Sequence, residues 1–218
     1  MARKHRLEYL RRKKAREIAK QQEIETEEKK SETNVVKEIL GWIIYIAIII
    51  AVTYLIVTYV GQRTMVSGDS MYPTLHDKDN LIVDKISYRF RDPERFEIIV
   101  FPYKYQEDTY YIKRIIGLPG DTIQMKQDEN GVFMYVNGER LEESYINYEE
   151  GGMEFAYAGL AENPITLGED EYFVLGDNRN HSSDSRDSNV GVLKREDLIG
   201  RAWVRVWPFE SIGVIPHE

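Results

Sequence analysis

Three regimes of hydrophobic patterning follow one another along the chain. Residues 1–38 are polar and charged. Residues 39–60 read ILGWIIYIAIIIAVTYLIVTYV, 22 positions without a charge. As a helix this run is about 33 Å long at about 1.5 Å per residue, which matches a hydrocarbon core of about 30 Å. A buried helix of a globular core rarely runs so far without one polar stripe. Trp42 and Tyr59 stand near its two ends, where interfacial aromatics belong. A cleaved signal peptide has an apolar region of about 7–15 residues followed by a small-x-small site. The residues that follow here, GQRTMVSGDS, hold no such site. The pattern predicts an uncleaved transmembrane helix over 39–60.

Beyond residue 60 the apolar runs become short and β-branched. NLIVDK (80–85), FEIIVFPY (96–103), TYYIKRIIG (109–117), DTIQMK (121–126), VFMYV (132–136), EYFVLG (171–176) and GRAWVRVWPF (200–209) read as strands. Asn130-Gly131 and Asn137-Gly138 flank VFMYV and signal type I′ hairpins, so a small β insert is expected over about 124–168. LKREDL (193–198) reads as a short turn. The fold class expected is mainly β, carried on residues 61–218 and tethered by one N-terminal transmembrane helix.

The composition sharpens this division. The formal charge of −8 is the average of unlike pieces. Residues 1–20 hold nine Lys/Arg and two Glu, residues 21–38 three Lys and six Glu, and residues 61–218 hold 17 basic against 29 acidic side chains. The excess of Lys/Arg before the apolar run predicts a cytoplasmic N-terminus and an extracytoplasmic domain of residues 61–218. The basic leader could lie on anionic lipid. Its reading as a nucleic-acid arm is disfavoured by the scarcity of aromatics and by the tether, and the acidic balance points away from nucleic acid as a partner. EIETEEKKSETN reads as a solvated helix or a disordered linker. With no cysteine in the chain there is no thiol nucleophile, disulfide or zinc-thiolate site.

Two loops interrupt the β pattern, VSGDSMYPTLHDKDN (66–80) and GDNRNHSSDSRDSN (176–189). In the second, Arg179 and Arg186 alternate with Asp177, Asp184 and Asp187, which suits an ordered network of internal ion pairs. Ser70 occupies a Gly-Asp-Ser turn leading to Met71 and Pro73, a geometry that can expose a hydroxyl. A serine nucleophile needs a base. Among the histidines, His5 is cytoplasmic by the predicted topology, His217 lies in the C-terminal tail, and His76 is six residues from Ser70. That leaves His181, with Asp177 or Asp184 to orient it. No HxxxH or HExxH spacing supports a metal site. Lysine is the other candidate base, and it must be neutral to act. Strand alternation puts Tyr111, Lys113 and Ile115 on one face and Arg114 on the other, so Lys113 stands between two large side chains. Arg114 keeps its proton and would serve in an ion pair.

SGDSMYPTL, YIKRIIGLPGD and GDNRNHSSDSR, in this order and behind a membrane anchor, resemble the signature boxes of the bacterial type I signal peptidases, in the form typical of Gram-positive bacteria. The resemblance covers about residues 37–209. It implies a signal-peptidase-type β catalytic domain and a Ser-Lys dyad that hydrolyses secretory preproteins after a small-x-small motif, without cofactor or metal. By position, Ser70 would be the nucleophile and Lys113 the general base. Ser182 would orient the lysine amine by a hydrogen bond. Asp177 would pair with Arg114 and Asp184 with Arg186, and Gly176 would begin the loop where it passes the dyad. Gly68, Asp69 and Met71 would shape the nucleophile loop. Many members carry a hydroxyl residue at the position of Gly68, so the second oxyanion donor is open among the Gly68 N–H, Ser67 and a water. The bound peptide is expected to lie extended beside a strand, with shallow walls near Ser70, at Ile82 and Val83, and at Ile98, Val100 and Phe101.

Three other readings remain at this level. One is a self-cleaving Ser-Lys protease, for which Ala156-Tyr157-Ala158 is a candidate site. The second is a catalytically inactive relative acting in assembly, although both dyad residues are present. The third is the His181 triad. The preproteins cut and the oligomeric state are not encoded in these motifs.

Overall fold

The computed structural model describes residues 37–56, 58–128, 131–146 and 157–217, together with Lys14, Arg16, Lys20 and Gln21. Most of the basic leader, Asn130 of the first predicted hairpin and Ala156 of the small-x-small motif lie outside the described residues. The chain forms two compact units, Met1–Leu55 and Ile56–Glu218. Helix α1, Lys37–Ile56, has 20 residues, none of them buried. It is the one helix among the described residues long and apolar enough to cross a membrane.

The second unit is built on strands. They are β1 (Gly61–Met65), β2 (Asn80–Asp84), β3 (Ile98–Pro102), β4 (Tyr110–Gly117), β5 (Thr122–Asp128), β6 (Gly131–Val136), β7 (Glu139–Arg140), β8 (Ile165–Thr166), β9 (Glu171–Leu175), β10 (Leu193–Lys194), β11 (Gly200–Trp207) and β12 (Gly213–Val214). The larger sheet runs β1-β2-β11-β3-β4-β9-β10, with β12 beside β11. The smaller sheet runs β7-β6-β5-β8 and spans residues 122–166, against an insert expected at about 124–168. Every pairing is antiparallel. Asn137 and Gly138 form the two-residue turn between β6 and β7, both with positive φ (54° and 86°), as a type I′ hairpin requires. LKREDL contributes the short β10 and a single 3-10 turn at Arg195–Asp197.

The central strands are covered on both faces, which is why they read as continuous apolar runs and not as alternations. On β9, Tyr172 and Val174 enter one cluster with Ile99, Phe101 and Ile115, while Phe173 and Leu175 enter another with Ile116, Ile123 and Met134. The second of these clusters joins the two sheets. A third gathers Met71, Leu75, Leu81, Ile98, Ala202 and Ile215 beneath the loop that follows β1. Strand β1, GQRTM, has no apolar alternation and its pairing with β2 is imposed by the chain around it.

Phe173 is fully buried at the junction of the sheets. Phe173→Ala removes its ring from this cluster and is expected to cost about 3–5 kcal/mol. Urea unfolding of the full chain in detergent, followed by tryptophan fluorescence, should show a lower midpoint at unchanged slope. A midpoint equal to the wild type would contradict this packing.

Candidate active site

The loop after β1 is shaped from below. Met71 and Leu75, one helical turn apart and both fully buried, anchor it in the third cluster, with Leu75 N–H donating to Met71 O at 2.9 Å and Tyr72 N–H to Asp69 O at 3.0 Å. Ser70 is turned the other way, toward a cavity. Val66 bonds in both directions with the returning chain, its N–H to Asp79 O at 2.8 Å and its O from Lys78 N–H at 2.9 Å. Gly68 has a positive φ of 86° and its N–H donates to Asp77 Oδ1 at 3.0 Å. Of the donors left open by sequence, the Gly68 N–H is therefore already engaged, whereas Ser67 lines the cavity.

Strand β4 carries the partner. Lys113 is 3% exposed. Its Nζ lies 2.8 Å from Ser70 Oγ and donates to Ile112 O at 2.9 Å. It also stands 5.2 Å from the centre of the Tyr111 ring, its neighbour on the same strand face. Burial penalises the ammonium, against an upward pull from the Asp184 and Asp177 carboxylates, and brings the Lys113 pKa down to about 8. A buried amine with a lowered pKa beside a hydroxyl is the arrangement a lysine general base requires.

Three ion pairs fasten the polar loop. Arg114 holds Asp177 with Nε to Oδ1 at 2.8 Å and Nη2 to Oδ2 at 2.7 Å, both side chains fully buried. Thr74 Oγ1, from the serine loop, donates to the same Oδ2 at 2.6 Å. Arg186 holds Asp184 through Nε and Nη2, each at 2.8 Å. Burial opposes the charge on Asp184, but the hydrogen bonds and charge around it, Arg186 foremost, outweigh burial and keep the carboxyl below its ordinary range. Asp184 Oδ2 also accepts the Gly176 N–H at 3.1 Å. Arg179 was expected to pair within the loop. Its partner is instead Glu143, from the chain beyond β7, a contact with no local signal because the residues are 36 positions apart. Asn178 ties the two loops together, its N–H to Ser70 O at 3.0 Å and its Nδ2 to Asp69 O at 3.1 Å.

Other sequence-predicted residues fall elsewhere. Ser182 makes no hydrogen bond to Lys113. Its Oγ is buried without a partner in hydrogen-bond geometry, and the second group bound by the amine is Ile112 O. The His181 side chain is exposed and hydrogen-bonds neither Ser70 nor an aspartate among the described residues. Of the five expected wall residues, only Val100 reaches the cavity. Phe101 lies on the opposite face of β3, in the cluster with Tyr172. Ile98 is sealed under the serine loop, and Val83 is buried within the sheet. Ile82 stays on β2, paired with Arg63 and Val204. The cavity, about 230 Å³, is walled instead by Thr64 to Ser67 and by Tyr110, Tyr111 and Ile112 with Ser183. Thr64 and Met65 were missed because β1 is illegible as a strand, whereas Tyr110, Tyr111 and Ile112 lie on a strand the sequence does announce and only their place on the cavity wall was illegible. No group of three or more His, Asp or Glu among the described residues is placed to hold a metal ion.

A family model described as signal peptidase, peptidase S26, matches residues 39–207. The chain is 42% identical over 189 residues to a probable signal peptidase I-2 of Synechocystis, covering 82% of this chain and 77% of that protein. It is 35% identical over 187 residues to signal peptidase I P of Bacillus subtilis subsp. natto, covering 85% and 96%. A crystal structure of a signal peptidase I from Enterococcus faecalis shares 33% identity, covers 51% of this chain and 97% of its own, and superposes with a TM-score of 0.41.

Gly176 is the point of closest approach between the two loops. A Cβ there would stand 2.4 Å from Ser70 O and 2.3 Å from Ser182 Oγ, and the Ser70 backbone is pinned by Asn178. Gly176→Ala must therefore displace the serine. The expected result is a stability loss of about 1–3 kcal/mol from overpacking. Acylation of Ser70 by an activated ester, read by intact mass, should also slow by about 100-fold, since a displacement near 1 Å costs that much. Wild-type acylation in the variant would show that the loop contact does not set the serine position.

Proposed function

The chain belongs to the signal peptidase, peptidase S26, family and is a serine endopeptidase, and from that premise we propose that Ser70 and Lys113 form its catalytic dyad. The observation that carries this reading is the 2.8 Å contact between Lys113 Nζ and Ser70 Oγ at an amine lowered to about pKa 8. Neutral Lys113 accepts the Ser70 proton as Oγ attacks the scissile carbonyl. The resulting ammonium returns that proton to the departing amine. The acyl-enzyme is then hydrolysed by a water that the same amine deprotonates. The Ser70 N–H makes no hydrogen bond to another described residue and faces the developing oxyanion. With the Gly68 N–H held by Asp77, the Ser67 hydroxyl on the cavity wall is the donor that joins it.

The substrate proposed is a secretory preprotein bound as a strand. β1 is an edge strand, and β4 pairs with β9 only from Arg114 onward, so residues 110–113 present free backbone groups on that side. An extended peptide between these edges completes the ladder. Its alternate side chains enter the cavity beside Val66, Val100 and Ile112. A space of about 230 Å³ shared by two such side chains admits small residues, which supports cleavage after small-x-small sequences. Helix α1 would anchor the enzyme with its N-terminus in the cytoplasm, by the Lys/Arg bias. Trp203, Trp207 and Phe209, all exposed on or next to β11, suit contact with lipid headgroups.

Cleavage of a model preprotein in detergent tests the dyad. Ser70→Ala and Lys113→Met should each lower the rate by about three orders of magnitude or more, with His181→Ala unaffected. Full activity in Lys113→Met would sink the proposal. The pH profile supplies an independent check. Lys113 must be neutral, so kcat/KM should climb about tenfold per pH unit up to about pH 8 and level off above it. A limb near the ordinary histidine value of about 6.5 would favour the triad instead.

A further inference from the structure

We infer that Glu143 and Tyr145 are positioning residues for this reaction, a clamp on the outer side of the polar loop that fixes Ser70 and keeps the Lys113 pocket dry. The inference rests on the Ser70–Lys113 reading and extends it to a segment, following β7, that no signature box includes. Glu143 and Arg179 are both buried, with side chains 2% and 1% exposed. Arg179 grips both carboxylate oxygens, with Nη1 to Oε2 at 3.1 Å and Nη2 to Oε1. Tyr145 OH donates to Glu143 Oε1 at 2.7 Å. Its ring stacks under the Arg114 guanidinium, 3.8 Å from the ring centre, and Phe96 packs edge-on against it at 5.9 Å.

Two short paths run from these residues to the dyad. In the first, Glu143 fixes Arg179. The Arg179 Nε donates to Gly176 O at 3.0 Å, and Arg186 Nη2 donates to Arg179 O at 2.7 Å. Gly176 in turn abuts the Ser70 carbonyl. In the second, the Tyr145 ring covers one face of Arg114. That guanidinium holds Asp177, which accepts a hydrogen bond from Thr74 four residues after the serine. Both paths consist of direct contacts, through the buried Glu143, Arg179, Arg114 and Asp177 and the half-buried Tyr145 and Thr74. A buried ion pair is weak evidence for stability as such, because desolvation offsets the attraction. What this one secures is geometry: it fixes the backbone on which the serine carbonyl rests.

The clamp also explains how the lysine stays desolvated. The groups that face Lys113 are Ser70 from the serine loop, Tyr111 from its own strand, and Asp177 and Asp184 from the polar loop. Burial is the largest influence on its proton affinity, and the two carboxylates oppose it. If the polar loop loosens, water reaches the amine and its pKa returns toward the ordinary lysine value of about 10.4. Less neutral lysine is then present at pH 8, and the loss is recovered by raising the pH. A residue that merely stabilised the fold would lower the amount of active enzyme without moving the midpoint.

The test is preprotein cleavage by the full chain in detergent, from pH 6.5 to 10.5, for wild type, Glu143→Gln and Tyr145→Phe, with kcat normalised to folded protein. Glu143→Gln should lower kcat at pH 8 by roughly 10- to 100-fold with KM nearly unchanged. The midpoint should move upward, and the deficit should shrink toward pH 10. Because Glu143→Gln strands the Arg179 charge in a buried site, it can fail to fold. Tyr145→Phe keeps both charges and the ring and loses one hydrogen bond, and it should show the same changes at roughly threefold. An unmoved midpoint and wild-type kcat in Tyr145→Phe, or in a folded Glu143→Gln, overturns the clamp. A wild-type profile with no limb near pH 8 overturns the dyad and the clamp together, whereas a normal wild-type limb with unmoved variants overturns the clamp alone.

Discussion

The structure of the site follows from the burial of one amine. A lysine ammonium taken out of water loses hydration worth several kcal/mol, and the molecule meets that cost by letting the Lys113 pKa fall to about 8. Every nearby element contributes to excluding water. Strand β4 places the residue opposite Ile99 of β3, Tyr111 lies beside the amine, and the serine and polar loops close over it. The Ile112 carbonyl takes one N–H at 2.9 Å, so the amine is oriented in part by its own strand. Ser182 Oγ is buried without forming such a bond.

The sheet topology makes this possible. Strand β4 pairs with β3 over Tyr110–Arg114 and with β9 from Arg114 onward, so before Arg114 it has a strand on one side only. Its buried half carries Ile115 and Ile116 into separate clusters. Its open half, Tyr110 to Lys113, has no strand on the β9 side. Lys113 sits at the change between the two regimes, 3% exposed yet beside the open edge. Gly117 then leads the chain out of the larger sheet toward β5, and the smaller sheet packs back through Ile123, Met125 and Met134.

What could be read from the sequence was whatever depends on short range. The seven strong strands were legible because their apolar runs are intrinsic, and the Asn137-Gly138 turn because two positive φ values demand such residues. The Ser70, Lys113 and Arg114 candidates were legible through motif order. The cavity walls were not. Strand β1 owes its existence to pairing with β2, and nothing in GQRTM announces it. Val100 and Phe101 are adjacent in sequence but on opposite faces of β3, so a wall drawn from both could not survive folding. Glu143 was invisible for a similar reason: its role exists only once the chain beyond β7 meets a loop 36 residues away.

The alternation of arginine and aspartate in the polar loop has an electrostatic reason beyond rigidity. Asp177 and Asp184 both pull the Lys113 pKa upward, and two unpaired carboxylates beside a buried amine would raise it further. Each is instead gripped by two nitrogens of its own arginine, Asp177 by Arg114 and Asp184 by Arg186. Each carboxylate therefore presents a nearly neutral pair to the lysine. The loop can use charged groups, with their strong and directional hydrogen bonds, to hold backbone atoms such as the Gly176 N–H. It does so without undoing the desolvation on which a neutral amine depends. Asparagine in place of these aspartates would spare the lysine their field, but it would leave Arg114 and Arg186 as buried unpaired cations. The loop composition is thus set by two demands at once, tight anchorage and a small net field at Lys113, and bidentate ion pairs meet both.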